Sequence, residues 1–533
     1  TDGSGYYLDG KVYPVTVTAD STAQTPVLAN VVDVPLNDPF GIQINKINSN
    51  GTTTADLSGA EYTIKFYAGQ YTMRTLPSTA TTTWVIKTTK NTYGAFTASL
   101  NDAHLVSGSA VYGKSANGMY KIPLGTITVQ ETKAPKGFTT EGATVKNAKT
   151  NQSISGTNGV FLFNLVDEKS GVYIKNGNAL STDATDETAM TLTYSEQEIT
   201  LSTTLTENST GHYAKADSTI NLTDHVEYKN LSIGKTYRMN AILYVKDGST
   251  LTKHTSKTVS LTPTARNGSI DVTFSNVSTS GLSGKMLVCY ETLSLNGTVV
   301  AEHTNPNDVN QTVNFPSIQT TAVAGSTKDH IAKASGTVTI TDTVVMKGLR
   351  VNNEYTIKGV LINKATGKAL TVNGSEVTAQ LTFTATGNTE TKTVTFSVYA
   401  STLAGTTVVV YESLYRGTPE VASHKNLSDA NQTIYFPSIR TTATDKTSGT
   451  HELTPETGAV ITDTVTYRNL IPGKSYTIKG TLINKATGKT AVIGGTEMTK
   501  TQTFTSTKTG NGSVTMTFSF DASEVTGTYV VYE

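Results

Sequence analysis

The sequence contains very little cysteine and tryptophan. Its 533 residues include one cysteine, Cys289, and one tryptophan, Trp84. A single thiol cannot form an internal disulfide bond, although many secreted β proteins rely on disulfides. Cys289 stands in the apolar run MLVCYE, which indicates a buried strand residue. Trp84 follows three threonines and is expected to pack in a core, so nothing indicates an aromatic groove for sugar stacking.

The chain also has no excess of charge of either sign. Lys+Arg and Asp+Glu both number 42, so the formal net charge is zero. This balance removes the electrostatic basis for binding nucleic acid or an anionic membrane. No run of 18 apolar residues predicts a membrane span, and neither a signal peptide nor a sorting signal is visible. The histidines are scattered, and NPNDVNQ resembles a calcium loop only in composition, so we expect no cofactor and no metal.

Threonine, valine, isoleucine and tyrosine are abundant, with 25 tyrosines in the chain. These residue types suit a pleated, half-solvated surface, and frequent DG, NG, GG and PG pairs provide turns between strands. No window shows a convincing helical period with caps. Together with the chain length, these features predict an all-β protein built as an elongated array of tandem Ig-like or prealbumin-like β-sandwich domains.

Internal repeats organise the C-terminal part of the chain. VNNEYTIKGVLINKATGKALTVNGSEVT and IPGKSYTIKGTLINKATGKTAVIGGTEMT are copies of one block, and LSIGKTYRMNAILYVKDGSTLT is a third. Each copy runs from a Thr-Thr strand to an apolar strand ending in Tyr-Glu, and complete copies finish at H-x7-Q-T. This self-similarity predicts three repeats, at 199–315, 316–436 and 437–533, the last without its His/Gln segment.

The N-terminal third has a different pattern. It predicts one domain over residues 37–170, followed by a Thr/Asp-rich linker over 171–198. Residues 1–36 match only the end of the 37–170 pattern, since SGYYLDG and ANVVDVP correspond to KGFTTEG and FNLVDEK. We therefore expect residues 1–36 to be the C-terminal strands of a truncated sister domain, and both ends to be cut from a longer array.

Two charged residues interrupt apolar strand faces in this N-terminal domain. Strand alternation places Lys46 on the same face as Ile44 in GIQINKIN, and Glu131 on the same face as Val129 in ITVQE. A lone buried ammonium or carboxylate is costly, so each needs a partner or must be neutral.

Asn164 is the third candidate, because alternation puts it on one face with Leu162 in the apolar run VFLFNL. The simplest interpretation of Lys46, Glu131 and Asn164 is a buried salt bridge with an added hydrogen bond.

The string L-x-G-A-x-[FY]-x-I, E-T-x-A-P-x-G-[FY] and a closing strand with Asn resembles the Cna-B/SpaA-type pilin domain over residues 37–170. The resemblance implies a spontaneous isopeptide bond between Lys46 and Asn164, with Glu131 as the catalytic, proton-managing partner. By alignment of the two N-terminal patterns, it also implies that Asn30 is the acceptor of the truncated sister domain.

Each C-terminal repeat carries the same residue types in the same order: Thr, Asp, Glu, His and Gln. Duplication alone could keep them in register, and this alternative stays open at the level of the sequence. The residues are Thr203, Asp224, Glu291, His303 and Gln311 in the first repeat, Thr320, Asp342, Glu412, His424 and Gln432 in the second, and Thr441, Asp463 and Glu533 in the third.

The Tyr-Glu strand and the H-x7-Q-T tail resemble the VaFE-type repeat, the Thr–Gln ester-bond domain of surface adhesins, over residues 199–533. The resemblance implies that Thr attacks the Gln amide and ammonia leaves, with His as the base and the Asp/Glu pair polarising the amide. Only one Thr of each Thr-Thr pair can face the Gln. The family match favours the first, with the second as the fallback. Tyr replaces the family's usual Phe before the Glu in all three copies.

These resemblances imply a structural stalk segment of a cell-surface adhesin or pilus, anchored to the cell wall outside a Gram-positive bacterium. Its expected partners are neighbouring domains of a longer chain, peptidoglycan through a sorting signal elsewhere, and a host ligand at a separate tip. A hydrolase is the rival enzyme hypothesis, but a Gln substrate within each complete copy predicts a single self-crosslinking turnover instead. The other alternative is a set of adhesin domains that bind host protein or glycan directly.

Overall fold

The computed structural model describes residues 6–7, 12–29, 34–35, 41–49, 55–115, 117–167, 172–176, 179–184, 189–325, 328–523 and 525–533. The described elements are β-strands and two short 3-10 helices, which confirms the all-β prediction. No helix in these ranges is long and apolar enough to cross a membrane. In the N-terminal segment, β1 (Tyr6–Tyr7) pairs antiparallel with β2 (Val34–Pro35). Asn30 lies outside the described residues.

Residues 41–196 form two sheets that enclose one core. The first sheet has the order β11-β10-β15-β3-β7-β6 and the second β14-β13-β12-β9-β4-β5-β8. Side chains from both sheets meet in a buried cluster that includes Ile44, Leu192, Tyr62 and Trp84. The strands are β3 (Gly41–Asn48), β4 (Glu61–Tyr67), β5 (Thr82–Lys87), β6 (Thr89–Lys90), β7 (Phe96–Ser99), β8 (Leu105–Ser107), β9 (Gly125–Lys133), β10 (Thr144–Asn147), β11 (Ser153–Ile154), β12 (Val160–Asp167), β13 (Val172–Asn176), β14 (Ala179–Ala184) and β15 (Ala189–Glu196).

The segment 171–198, expected to be a linker, contains strand β15, which belongs to the N-terminal domain. It runs parallel to β3, in register from Ala189 opposite Gly41 to Glu196 opposite Asn48. Its alternate side chains, beginning at Met190, are buried. The last strand of the domain therefore lies inside the expected linker, and the domain that begins at Gly41 closes at Glu196 rather than near residue 170.

The first repeat has two sheets that pack through a shared core. Its first strand belongs to the sheet β16-β17-β20, and the second sheet has the order β19-β18-β21-β22 with β23 paired to β21. The elements are β16 (Thr200–Glu207), β17 (Thr219–Lys229), β18 (Tyr237–Asp247), β19 (Thr250–Leu261), β20 (Gly268–Ser278), β21 (Met286–Leu295), β22 (Thr298–His303), the 3-10 helix η1 (Val309–Gln311) and β23 (Thr312–Asn314).

The second repeat follows the same plan. Its sheets are β24-β25-β31 and β27-β26-β32-β33, with β30 paired to β26, β34 paired to β32, and β28 and β29 forming a separate hairpin. The elements are β24 (Ser317–Ala324), β25 (Thr337–Lys347), β26 (Glu354–Asn363), β27 (Lys368–Ala369), β28 (Thr371–Val372), β29 (Ser375–Glu376), β30 (Thr378–Thr384), β31 (Thr389–Tyr399), β32 (Thr406–Tyr415), β33 (Glu420–His424), η2 (Ala430–Gln432) and β34 (Thr433–Phe436).

The third repeat keeps the first sheet, β35-β36-β42. Its second sheet is β38-β37-β41 with β43 paired to β37, beside a β39-β40 hairpin. The elements are β35 (Ser438–Asp445), β36 (Ala459–Arg468), β37 (Ser475–Asn484), β38 (Lys489–Thr490), β39 (Val492–Ile493), β40 (Thr496–Glu497), β41 (Thr499–Thr505), β42 (Gly512–Phe520) and β43 (Tyr529–Tyr532).

The junctions between units depend on one repeat position with left-handed backbone. Asn230, Gly348 and Asn469 occupy it, with φ of 66°, 70° and 61°, a conformation that Gly and Asn adopt at low cost. Asn230 Nδ2 donates to the Glu198 carbonyl at 2.8 Å, and Asn469 Nδ2 donates to the Thr406 carbonyl at 2.5 Å. The asparagine side chains therefore fasten each of these repeats to the unit before it.

The first and second repeats also share apolar contacts. Tyr213 of the first repeat is buried in the core cluster of the second. Its ring lies 6.2 Å from that of Tyr355 and 4.2 Å from the guanidinium carbon of Arg416, measured to ring centroids. This interface is part of the core of the second repeat rather than a separate surface contact.

Candidate functional site

In the second repeat, the first Thr of the Thr-Thr pair meets the Gln. Thr320 faces the core on β24 and is 3% exposed, whereas Thr321 points to solvent. Gln432 is fully buried at the end of η2. Its Nε2 donates to Thr320 Oγ1, in a very short contact, and to Asp342 Oδ1 at 3.0 Å. The structure thus places the hydroxyl against the amide rather than at a distance across the domain.

The first repeat reproduces this arrangement. Gln311 Nε2 donates to Thr203 Oγ1, again in a very short contact, and to Asp224 Oδ1 at 3.3 Å. Thr203 Oγ1 in turn donates to Glu291 Oε2 at 3.3 Å. The other amide atom, Oε1, accepts no hydrogen bond in Gln311 or in Gln432. Both sites therefore present an amide whose carbonyl oxygen is free of donors and whose nitrogen already contacts the hydroxyl and an acid.

The paired carboxyl groups in these sites have strongly perturbed pKa values. Burial, and next the negative charge of Asp224, raise the pKa of Glu291 to about 9. Burial also raises the pKa of Asp224 to about 6. In the second repeat, burial and the hydrogen bond to Asp342 raise the pKa of Glu412 to about 11. At neutral pH each glutamate is therefore a neutral acid that can donate a proton.

The histidines occupy a different place from the expected one. His303 Nε2 lies 2.9 Å from Asp308 Oδ2, and His424 Nε2 lies 2.7 Å from Asp429 Oδ2. The Thr203 hydroxyl donates to Glu291 and not to histidine. The expected direct contact between histidine and the Thr hydroxyl is therefore absent from both described sites. The reason is that each histidine ends an edge strand and is held there by the aspartate.

Sequence reasoning missed Asp308 and Asp429. Each caps the 3-10 helix that carries the Gln, accepting from the backbone N–H of the second residue beyond it at 2.8 Å. The signal was present as H-x4-D-x2-Q-T, which both complete copies contain within the H-x7-Q-T tail. The aspartate therefore links the histidine to the segment that positions the amide.

The third repeat brings together its Thr, Asp and Glu. The pKa of Glu533 is raised to about 8 by burial and by the hydrogen bond to Asp463, while a hydrogen bond to Thr441 opposes the shift. Asp463 is fully buried. The predicted partial set therefore forms one cluster.

Cys289 adds a thiol to the first site only. Its Sγ lies 3.8 Å from Asp224 Oδ2, and it groups with Asp224 and Glu291 within 4.8 Å. Burial and the negative charge of Glu291 raise the thiol pKa well above its usual value, which disfavours the thiolate that a metal requires. The second repeat has Val410 at this position, so the thiol does not belong to the repeated arrangement.

In the N-terminal domain, Lys46 lies between two acids. Its Nζ is 2.7 Å from both carboxyl oxygens of Glu131 and 2.7 Å from Glu196 Oε2. The rings of Tyr62 and Tyr194 flank it at 5.9 and 6.0 Å. Burial is the main cause that raises the pKa of Glu131 to about 9. Sequence reasoning found Lys46 and Glu131 but missed Glu196, the inward-facing acid at the end of β15.

Asn164 does not contact Lys46 as the resemblance implied, and it has other hydrogen-bond partners. Its Nδ2 donates to the Tyr71 carbonyl at 3.1 Å, and its Oδ1 accepts from Thr126 Oγ1 at 2.6 Å. The core-facing residues of β12 are odd-numbered, as in Phe163, so Asn164 and Leu162 face away from the core. The sequence run VFLFNL is apolar on both faces, and alternation alone could not decide between them.

Comparison with solved structures finds bacterial surface proteins of low sequence identity. An adhesin from Mobiluncus mulieris, described as containing intramolecular disulfide, isopeptide and ester bond cross-links, has 15% identity and a TM-score of 0.22, covering 38% of this chain and 99% of that one. A variant of BcpA, the major pilin subunit of Bacillus cereus, has 13% identity and a TM-score of 0.24, covering 74% and 97%. The major pilin SpaD from Corynebacterium diphtheriae has 13% identity and a TM-score of 0.26, covering 73% and 88%.

A comparison with curated proteins gave no significant match. The family model of the T-Q ester bond containing domain matches three segments, 199–315, 316–436 and 437–533. These segments coincide with the repeats predicted from self-similarity. They also contain the clusters of Thr, Asp and Glu described above, which include the Gln in the first two segments. The chain therefore belongs to the family of T-Q ester bond containing domain proteins.

Proposed function

We propose that this chain is a structural stalk segment of an adhesin or pilus on the surface of a Gram-positive bacterium, hardened by ester bonds that it forms itself. The bonds are Thr203–Gln311 and Thr320–Gln432. The observation that carries the proposal is the contact between the Gln amide nitrogen and the Thr hydroxyl, buried beside two carboxyl groups, in both complete repeats.

The site contains the groups that acyl transfer needs. Thr320 Oγ1 attacks Gln432 Cδ, the Oγ1–Cδ bond forms, and the Cδ–Nε2 bond breaks. The hydroxyl proton passes to the departing nitrogen, which leaves as ammonia. The neutral carboxyl of Glu412 relays this proton, giving its own to the nitrogen and taking the one that Thr320 loses, and Asp342 Oδ1 already accepts from the leaving nitrogen at 3.0 Å. A hydroxyl is a weak nucleophile, so such acid and base assistance is required.

The reaction consumes the protein's own side chain, so each complete repeat reacts once and the chain is not an enzyme that turns over. The Thr lies on the first strand, and the Gln lies just before the last strand. They are 108 residues apart in the first repeat and 112 in the second. Closing a loop of this size removes about 4–5 kcal/mol of unfolded-chain entropy, by analogy with a disulfide.

A bond between these positions also changes the response to force. Tension enters at the first strand and leaves at the last, so the ester carries it and the strands between remain unloaded. Resistance to forced unfolding depends on the unfolding rate rather than on equilibrium stability alone. A covalent path that bypasses the fold removes that unfolding step, which is the property a stalk needs.

Pulling on single molecules of the full chain tests this proposal. In Thr320→Ala, the second repeat should unfold and release a length on the order of 40 nm, from about 112 residues at about 3.5 Å each. Thr321→Ala is the matched control, because Thr321 is exposed and should leave the ester intact. The proposal would be contradicted if Thr320→Ala added no release of that length to the wild-type unfolding trace, or if Thr321→Ala added one as well.

A further inference from the structure

The buried acids around Lys46 offer a second reaction, at a residue that the sequence pattern did not indicate. We propose that Lys46 and Glu196 join as an amide between Nζ and Cδ, with loss of water, and that Glu131 is the catalytic acid–base. This crosslink is separate from the ester bonds of residues 199–436, and it uses a glutamate side chain as the acceptor.

The positions of the two residues support the bond. Lys46 is on β3, the first strand of the domain, and Glu196 ends β15, the last strand. The two strands are parallel neighbours in one sheet, with Tyr194 opposite Lys46, so Glu196 lies on the same inner face. Lys46 Nζ and Glu196 Oε2 are 2.7 Å apart, and both side chains are fully buried. The amine and the carboxyl are therefore in reach without rearrangement of the backbone.

The charge balance of the cluster favours neutral groups. One amine faces two carboxyl groups, so full ionisation would leave an uncompensated negative charge in the core, where it is costly. Lys46 Nζ lies 2.7 Å from an oxygen of each acid, so the three groups form one buried cluster. Tyr62 and Tyr194 cover the amine and exclude water from it. A neutral amine beside a protonated carboxyl is the arrangement from which an amide forms.

Glu196 has few other interactions to hold it as a carboxylate. Its oxygens receive no hydrogen bond with regular geometry from any described donor. Glu131, by contrast, accepts from Lys46 with both oxygens at 2.7 Å. The two acids therefore differ in role, with Glu131 placed to take and return protons and Glu196 placed as the acyl group.

The reaction balances without a co-reactant. Lys46 Nζ attacks Glu196 Cδ, and the Nζ–Cδ bond forms while a Cδ–O bond breaks. Protonated Glu131 gives its proton to the departing hydroxyl, which leaves as water, and takes in its place the proton that Nζ loses. A cavity of about 490 Å³ is lined by Glu131 and Tyr194 and provides a path for that water. The product is a neutral amide, which removes the ionic groups from the core.

Peptide mass spectrometry on the full chain tests the bond. A glutamate-specific protease cuts after Glu61, Glu187 and Glu198, which separates Glu196 from Thr203 and its ester. We expect peptide 1–61 to be joined to peptide 188–198, at about 18 Da below the sum of their masses, from one lost water. Cleavage after Glu196 should also be lost.

Four variants distinguish this bond from other outcomes. Glu196→Gln should give the identical linked peptide, because loss of ammonia from the amide leaves the same product. Glu196→Ala and Lys46→Arg should give none, and Asn164→Ala should leave the link unchanged. Recovery of separate, full-mass peptides from the wild-type chain would overturn the proposal and leave a buried ion cluster. Loss of the link in Asn164→Ala alone would also overturn it. Neither result would bear on the esters, which lie in other peptides.

Discussion

His424 Nε2 and Asp429 Oδ2 lie 2.7 Å apart, and the same aspartate caps the 3-10 helix that ends at Gln432. The first repeat has the same relationship between His303 and Asp308, at 2.9 Å. One carboxylate in each repeat thus holds both the histidine ring and the 3-10 helix that carries the reactive Gln. In the reaction that we propose, the histidine is therefore a positioning residue at the edge of the site, without direct contact with the hydroxyl.

Asp429→Asn separates the two tasks of this aspartate. Asn also caps helices well, so Gln432 should remain in place, while the negative charge beside His424 is lost. We expect ester formation in the second repeat to slow about tenfold or more, and His424→Ala to slow it at least as much. The measurement is the linked fraction against time after refolding. Wild-type rates in both variants would remove the histidine from the mechanism.

The carboxyl pair predicts a pH dependence of stability when the ester is absent. The pKa of Glu412 is raised from 4.5 to about 11, so the folded state holds a proton that the unfolded state releases. This contribution to stability is complete below about pH 4.5 and is lost progressively as the pH rises towards 11. In Thr320→Ala, the melting temperature of the second repeat should fall between pH 5 and pH 9. The double variant Thr320→Ala/Glu412→Gln should show a flatter dependence, and equal slopes would contradict this assignment.

Tyr213 predicts coupling between the first two repeats. Its ring is 3% exposed and belongs to the core of the second repeat. Tyr213→Ala should therefore destabilise the second repeat by about 2–4 kcal/mol, as large-to-small core substitutions do. Tyr213→Phe keeps the ring and is the control. The measurement is the thermal transition of the second repeat, and an unchanged transition in Tyr213→Ala would show that the junction is energetically independent.

Ester and amide links should differ in their response to alkali. Hydroxide opens an ester far more readily than a secondary amide, so prolonged alkaline treatment should add one water, about 18 Da, at each Thr–Gln link. The Lys46–Glu196 link should survive the same treatment. Peptide masses before and after treatment measure both. Survival of the Thr–Gln links under conditions that hydrolyse a model ester would argue that they are not esters.

The repeats and the Thr–Gln clusters could be predicted because the same residue pattern occurs more than once in the sequence. Thr320 and Gln432 recur as Thr203 and Gln311 in register, and the strand period explains why Thr321 faces solvent. The histidine contacts with Asp308 and Asp429 were missed although both complete copies carry the H-x4-D-x2-Q-T spacing, because the contacts depend on how an edge strand ends against a 3-10 turn. That local geometry leaves no periodic signal.

The N-terminal domain shows the opposite case, since its pattern occurs in full only once. Asn164 lies in a strand that is apolar on both faces, so alternation could not choose its orientation. Glu196 lies on a regular alternating strand, but the Thr/Asp-rich residues before it suggested a linker. Its pairing with β3 is a contact between residues about 150 positions apart, and only the fold brings them together.

The mass of the full chain tests the central claim most directly. Each ester removes one ammonia, about 17 Da. Measured against its own sequence mass, Thr320→Ala should show a deficit about 17 Da smaller than the wild-type chain, whereas the deficit of Thr321→Ala should equal that of the wild type. A peptide pair joined between Thr320 and Gln432 should appear only in the wild-type chain and in Thr321→Ala. A wild-type chain at full sequence mass, with no such peptide, would contradict the account.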